Sequence, residues 1–376
     1  MPFCYKQRMN TTRATEQITA RFQKLVHSDA KIHNAYLLVH SDKSSFHLNL
    51  AEGVTETGSN NTVQAHPQQP VYMASVGKLF TAVLVAILSE QGMLSFDDKI
   101  ADFLDPNLME GLHVFKGEDY SRQIRLKHLL NHTAGVHDFW EDKPPDGTGM
   151  VDRLLNAPDR VYVPAEVVAW SKENLKAHFP PGEGFHYSDT GYHLLGLVVE
   201  SVASMSFHDA LSHYIFEPLQ MKNAFLLQHS RPLEESDHPL AAVYIGDTNV
   251  AQYRSLSVDY AGGGVTAPPD DLLKFMQALV QGRLLQAETL EKMMDDCAKF
   301  SLGIDYCYGI MKIRGFPILM PRRLNSWGNA GATGAFMFYH PGQDAYLIGS
   351  LNQFGYPSKA IRFMMRVIDT LMKNDK

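Results

Sequence analysis

Apolar residues first fall into a regular pattern between Thr11 and Val26, where Ile18, Phe22, Leu25 and Val26 recur at helical spacing among charges. This predicts an amphipathic helix with one face against a larger body. Two short apolar runs follow, Ala35 to His40 and Phe46 to Val54, separated by the turn-forming DKSS, and predict a strand hairpin. Thr55 to Pro70 is polar and reads as a loop. It leads into Val71 to Gly92, where a short extended run meets Ser75 and the apolar decade Leu79 to Leu88 predicts a buried helix that stops at Gly92. Beyond it the character changes to loops and helices. Pro164 to His178 reads as a helix with proline at its first position and PPGEG closing it, and two more helices follow, from about Tyr192 to Ser204 and from Phe207 to Ile215. The last third has a glycine turn at AGGGV, then a helix that starts near Pro268 and Pro269, carries Asp270 and Asp271 in its first turn and ends at Gly282. Ala335 to Tyr339 and Ala345 to Leu351 predict a second hairpin through HPGQD, and Ser358 to Met372 a closing amphipathic helix. The fold expected is α+β. Residues 1–99 and 246–376 form a discontinuous sheet domain, and 100–245 a mainly helical inserted domain.

Composition narrows the partners. With 376 residues, 45% hydrophobic and 20% charged, the chain is long enough for two sub-domains with sizeable cores. Its formal net charge of −7 comes without any block of like charge, so neither nucleic acid nor an anionic membrane is expected as a partner. Cys4, Cys297 and Cys307 are an odd set without a CxxC pair, which fits a reducing compartment better than a disulfide framework. The first residues lack the long apolar run of a secretory signal, and Leu79 to Leu88 is too short to cross a bilayer. The expected location is cytoplasmic.

The candidate chemistry centres on Ser75. Lys78 lies one turn later on the same helix face and can reach the Ser75 hydroxyl, and free backbone N–H groups at a helix start favour the charge of an attacking alkoxide. Ser-x-x-Lys is a loose pattern, repeated here by Ser28 to Lys31 in a polar turn, so its weight depends on partners. No G-x-S-x-G surrounds Ser75, which leaves a nucleophile elbow unsupported. Tyr187 in HYSDTG stands where a loop meets a helix. A nearby lysine ammonium would favour its phenolate and make it a usable base, the alternative being a core tyrosine with a satisfied hydroxyl. Gly331 and Gly334 directly before a strand suggest an edge strand whose backbone approaches a ligand, or else a bulge. His128 and His132, four apart, with His137 nearby, raise a metal alternative. No HExxH glutamate accompanies them, and they read equally as a helix end and turn packed beside a cleft, so neither metal nor cofactor is expected. The aromatic stretch His137 to Trp140 either lines an acyl pocket or packs under a long loop.

Ser75-x-x-Lys78, Tyr187-Ser188-Asp189 and Asn329-Ala330-Gly331, in that order, resemble the three motifs of the serine β-lactamase and penicillin-binding-protein superfamily, in its class C β-lactamase, family VIII esterase and D-aminopeptidase branch. LKHLLNHTAGV, IFEPLQM and AGGGVTAPPDDLLKFMQAL extend the likeness, which runs from about Val71 to Leu351. The resemblance implies a serine acyl-enzyme mechanism without metal. Ser75 would be the nucleophile, Lys78 and Tyr187 would share proton removal, the backbone N–H groups of Ser75 and Ala332 would form the oxyanion hole, and Asp189 would face the substrate's polar group. It also implies an antiparallel sheet flanked by N- and C-terminal helices beside a helical lobe. Two departures change the expected substrate. Asn329 stands where the family carries Lys or His, Arg322 or Arg323 being the nearest cations in sequence, and Asp189 where β-lactamases prefer Asn. Both shift the expectation from anionic β-lactams toward small-molecule esters or small amides. The competing readings are a β-lactamase or D-amino-acid peptidase, a non-catalytic scaffold of the same fold, and a metal hydrolase centred on the histidines.

Overall fold

The computed structural model describes residues 9–57, 61–315 and 322–375, and Cys4 lies outside them. Helix α1 (Thr11–His27) turns Ala14, Ile18, Phe22 and Val26 inward, and the hairpin that follows it is β1 (Asn34–Ser41) and β2 (Phe46–Thr57). The polar stretch read as a loop instead continues β2 and returns as β3 (Asn61–Gln64). All four β3 residues are exposed, so nothing in their polarity alternates to mark a strand. Among the helices that follow are α2 (Gly77–Glu90), α3 (Asp189–Ala203) and α4 (Pro269–Val280). The strands that join β1, β2 and β3 in the large sheet are β4 (Ala298–Ser301), β5 (Ile304–Tyr306), β6 (Met311–Ile313), β7 (Ser326–Ala330), β8 (Phe336–His340) and β9 (Ala345–Ser350), and α5 (Pro357–Asn374) follows them.

These strands form one nine-stranded antiparallel sheet in the order β4-β5-β6-β7-β8-β9-β1-β2-β3. The alternation of side chains across it builds two cores. Leu37 and Val39 point to the face covered by α1 and α5, together with Phe338 and Leu347, while Tyr36 and Leu38 point with Met337 and Ile348 toward α2 and α4. The second of these cores continues from α2 into α3 and the helices around it. Helix α3 starts three residues before the expected Tyr192, because the Ser188 hydroxyl caps it by accepting the Gly191 N–H at 3.0 Å. The helix expected over Phe207 to Ile215 is α-helical only to Leu211 and continues as a π turn over Ser212–Phe216.

Two further expectations are overturned. The strand after Gly331 and Gly334 is β8, which lies between β7 and β9 rather than at an edge. Cys297 and Cys307 are joined in a disulfide, contrary to the reading of free thiols, because the turn from the helix Ala287–Asp295 into β4 and the end of β5 bring their Cα atoms 4.0 Å apart.

The glycine run 262–264 packs beside the turn that leads into α2. A methyl group added at Gly263 would lie 2.7 Å from Asp259 Oδ2 and 2.9 Å from the Ala74 carbonyl carbon, so backbone would have to move. Gly263→Ala is therefore expected to lower unfolding free energy by about 1–3 kcal/mol, the ordinary cost of overpacking, read as a lower urea midpoint with unchanged slope.

Candidate active site

Ser75 sits in a single 3-10 turn, Ala74–Val76, between the short strand Val71–Tyr72 and α2. Ala74 has a φ of 45°, a conformation that costs a non-glycine residue about 1–3 kcal/mol, and the strain sits directly before the serine. One helical turn on, Lys78 is fully buried, and its Nζ donates to Ser75 Oγ at 3.2 Å, to the Gly262 carbonyl at 2.8 Å and to Asp189 Oδ1. Ser75 and Lys78 thus meet as their spacing predicted. The Gly262 carbonyl is reached only because residue 262 lacks a side chain: a Cβ there would lie 2.5 Å from Asp189 Oδ1 and 3.6 Å from Lys78 Nζ.

Tyr187 completes the group. The Lys78 Nζ lies 4.8 Å from the centroid of its ring, and its hydroxyl shares a hydrogen bond with Ser75. The phenolate expected from the neighbouring ammonium is opposed by stronger effects. Burial and the Asp189 carboxylate hold the Tyr187 phenol well above its ordinary range, so the resting side chain is protonated. His132 packs against the Tyr187 ring with centroids 4.2 Å apart, and its Nδ1 accepts the Ser188 N–H at 3.0 Å. Burial holds this imidazole well below its ordinary pKa, and the charge of Lys78 acts in the same direction. It serves as a neutral support for the tyrosine loop.

Asp189, expected to face a substrate, is turned to Lys78 instead, although it still forms part of the cavity wall. Burial raises its carboxyl and Lys78 pulls it back. Its own N–H donates to Asp138 Oδ1 at 2.9 Å. Burial first, and then the charge of Asp189, pushes Asp138 well above the carboxylate range, so it stands protonated beside the ion pair. Asn329 is also not where the motif suggested. It is fully buried, and its amide donates to Tyr306 Oη at 3.2 Å and to the Gly309 carbonyl at 2.8 Å, which makes it part of the sheet's interior. Arg322 and Arg323 are exposed, and Arg323 pairs with Asp369 of α5 at 3.2 Å. Gly331 does bring backbone close, but to the nucleophile turn: a Cβ there would lie 2.7 Å from the Met73 carbonyl oxygen and 3.1 Å from the Ser75 nitrogen. That approach sets Ala332 beside Ser75.

Two spaces meet at Ser75, and Glu141, Tyr187 and Ala332 border both of them. The smaller, about 90 Å³, is walled by Tyr72, Trp140, Val243, Phe354 and Asp259. The larger, about 510 Å³, is an apolar groove running past Phe300, Met311 and Ile361 to Arg362. Of the aromatic stretch His137 to Trp140, only Trp140 borders the smaller space, while His137 and Phe139 are buried. The smaller space carries Glu141, Asp189 and Asp259 and no lysine or arginine. Sequence reasoning missed Gly262, Asp138, Glu141 and Asp259. The glycine run signalled only a turn, and the three acids act through contacts tens of residues away.

The Beta-lactamase family model matches residues 19–366. Penicillin-binding protein 4* of Bacillus subtilis is 28% identical over 259 residues, 63% of this chain and 51% of that protein, so the chain spans about half the length of this relative. A D-stereospecific amidohydrolase from Streptomyces sp. superposes with a TM-score of 0.74 at 23% identity, covering 93% of this chain and 97% of the other. EstCE1, a hydrolase with promiscuous acyltransferase activity, does so with a TM-score of 0.74 at 19% identity, covering 95% and 99%. At these identities the two structures show a shared fold.

Asp259 supplies a pH test of this site's packing. Burial pushes its carboxyl up to about 7, against an ordinary 3.8. A raised carboxyl binds its proton more tightly folded than unfolded, so its stabilisation is complete below about pH 4 and lost as pH rises toward 7. At about 1.4 kcal/mol per unit over roughly three units, the loss is about 4 kcal/mol at most, since the Trp140 indole N–H at 3.1 Å favours the ionised form. Unfolding free energies of wild type and Asp259→Asn, measured from pH 4 to 8, should diverge in that direction: the wild type loses stability relative to the variant as pH rises, and parallel curves would refute the assignment.

Proposed function

The chain belongs to the Beta-lactamase family, and on that premise we propose that it is a serine hydrolase that cleaves small carboxylic esters or amides through an acyl-enzyme on Ser75. The observation that carries the reading is the convergence of Ser75 Oγ, Lys78 Nζ and the Tyr187 hydroxyl at the junction of the two spaces. A serine hydroxyl needs a base, and Lys78 is hydrogen-bonded to Asp189, whose carboxyl burial makes readier to take a proton. With that proton on the buried carboxyl, the Lys78 amine takes the Ser75 proton as Oγ attacks the carbonyl carbon. The oxyanion is received by the backbone N–H groups of Ser75 and Ala332, assisted by the helix start behind Ser75. Tyr187, held as a phenol, passes its proton to the leaving oxygen or nitrogen and regains one from Lys78. Water then attacks the acyl carbon, the same groups move its proton in reverse, and Ser75 Oγ leaves.

Substrate charge follows from the walls. With Asn329 turned into the sheet and Arg323 paired with Asp369, neither the third motif nor its neighbouring arginine presents a cation to a substrate carboxylate beside Ser75. Glu141 disfavours one further, and Asp259 joins it as pH rises through about 7. A neutral acyl group in the aromatic space fits this setting, and so does one bearing an ammonium. The latter favours a second reading, amides of amino acids, in keeping with the amidohydrolase whose fold the chain shares.

Exposure to a fluorophosphonate should add one phosphonyl group to the intact protein and none to Ser75→Ala, read by mass. Ser75→Ala should abolish ester turnover, and Tyr187→Phe should reduce it on the order of a hundred- to ten-thousand-fold. Near-wild-type esterase rates in both variants would rule out this chemistry, and a long-lived penicillin adduct would move the assignment to a penicillin-binding protein.

A further inference from the structure

Asp142 and His186 are chain neighbours of the site residues Glu141 and Tyr187, and with His178 they take no part in the chemistry above. Asp142 Oδ2 is 2.9 Å from His178 Nε2 and 3.3 Å from His186 Nε2, and the two imidazoles are stacked with centroids 3.5 Å apart. Candidate ligand atoms of the three residues lie within 4.8 Å of one another, the one such group of histidine, cysteine or acidic residues among the described residues. It is not the set of histidines that sequence spacing brought forward. His128 and His137 are not in it, and His132 supports Tyr187.

The two separations from Asp142 match a coordination shell. A tetrahedral ion with bonds of about 2.0–2.1 Å holds its donors about 3.3 Å apart, and a right-angled pair sits about 2.9 Å apart. His186 Nε2 is shielded from water and makes no well-formed hydrogen bond at 3.3 Å, which leaves its nitrogen available to a ligand. The frame is built without any ion. Three backbone hydrogen bonds rivet the histidine loop to the preceding turn, from His178 N to Gly135 O at 2.9 Å, Gly182 N to Thr133 O at 2.8 Å and His186 N to His132 O at 3.0 Å. Gly135 has a φ of 69°, and a Cβ there would lie 2.0 Å from the Phe179 carbonyl oxygen, so this close approach requires glycine. On the other side the Asp138 N–H donates to Asp142 Oδ2 at 2.7 Å and fixes the carboxylate, as outer partners of metal ligands do.

We propose that Asp142, His178 and His186 bind one divalent cation of the Zn²⁺ class. Two imidazoles and a carboxylate suit zinc or a similar borderline ion better than Mg²⁺ or Ca²⁺, which take oxygen shells. The ion acts as a brace. Glu141 precedes Asp142 and Tyr187 follows His186, so the cation ties together the two loops that supply both residues to the walls around Ser75.

The test uses the untagged chain, stripped with a chelator and returned to metal-free buffer, and is independent of its hydrolase activity. Titration with Co²⁺ should give one equivalent of visible d–d absorption, displaced by Zn²⁺, and Zn²⁺ should raise the unfolding midpoint. His178→Ala, His186→Ala and Asp142→Asn should each weaken Zn²⁺ binding by at least about tenfold, since loss of even an outer partner costs 10–100-fold. His178→Asn covers the case in which an alanine variant fails to fold, fold being read by circular dichroism. Absence of a cobalt spectrum in the wild type, or Zn²⁺ affinity unchanged in the folded variants, would overturn the site.

Discussion

The structure depends on one buried ion pair. Lys78 has no exposed surface, and a lone ammonium there would be prohibitively costly. The neighbouring groups compensate: Asp189 opposite it, the Gly262 carbonyl beside it and the Ser75 hydroxyl in front. Each compensating contact constrains the fold elsewhere. The Gly262 carbonyl can approach only through a run of small residues, Asp189 must open a helix rather than sit within one, and Asp138 must remain protonated so that a second negative charge does not disturb the pair. The pair that keeps the core electrically quiet is also the one that can relay a proton, so packing and chemistry here rest on the same atoms.

What could be read in the sequence were the features carried by local periodicity. Helix α1, the long apolar helix α2, both hairpins and α5 follow from spacing alone, and so does the adjacency of Ser75 and Lys78, which is a matter of one helical turn. The polar strand β3 was missed because an exposed edge needs no alternation, and the start of α3 because its first apolar residue was weighed above its serine cap. The disulfide was missed because the residues between the two cysteines, ten positions apart, show no motif, and only the turn into β4 brings the two sulfurs together.

The third motif shows why a pattern match does not specify a role. Asn329-Ala330-Gly331 occupies the expected strand, yet only its glycine serves the nucleophile turn, while the asparagine amide is used to join β7 to the Tyr306 hydroxyl and the Gly309 carbonyl. Position 329 became an internal strut, and the charge a relative would present at that point is absent. Asp189 was misjudged for a similar reason. Its partner is 111 residues distant in sequence, and nothing local in YSD announces a lysine.

The register of the central strands sets a timetable for the chain's assembly. Strand β1 pairs with β9, with Leu38 opposite Ile348, so the middle of the sheet closes across about 300 residues of intervening chain. During synthesis the β1–β2 hairpin therefore waits, with one apolar, hydrogen-bonding edge uncovered, until β9 has emerged. That waiting edge, rather than the finished sheet, is where the chain is most exposed to wrong pairing.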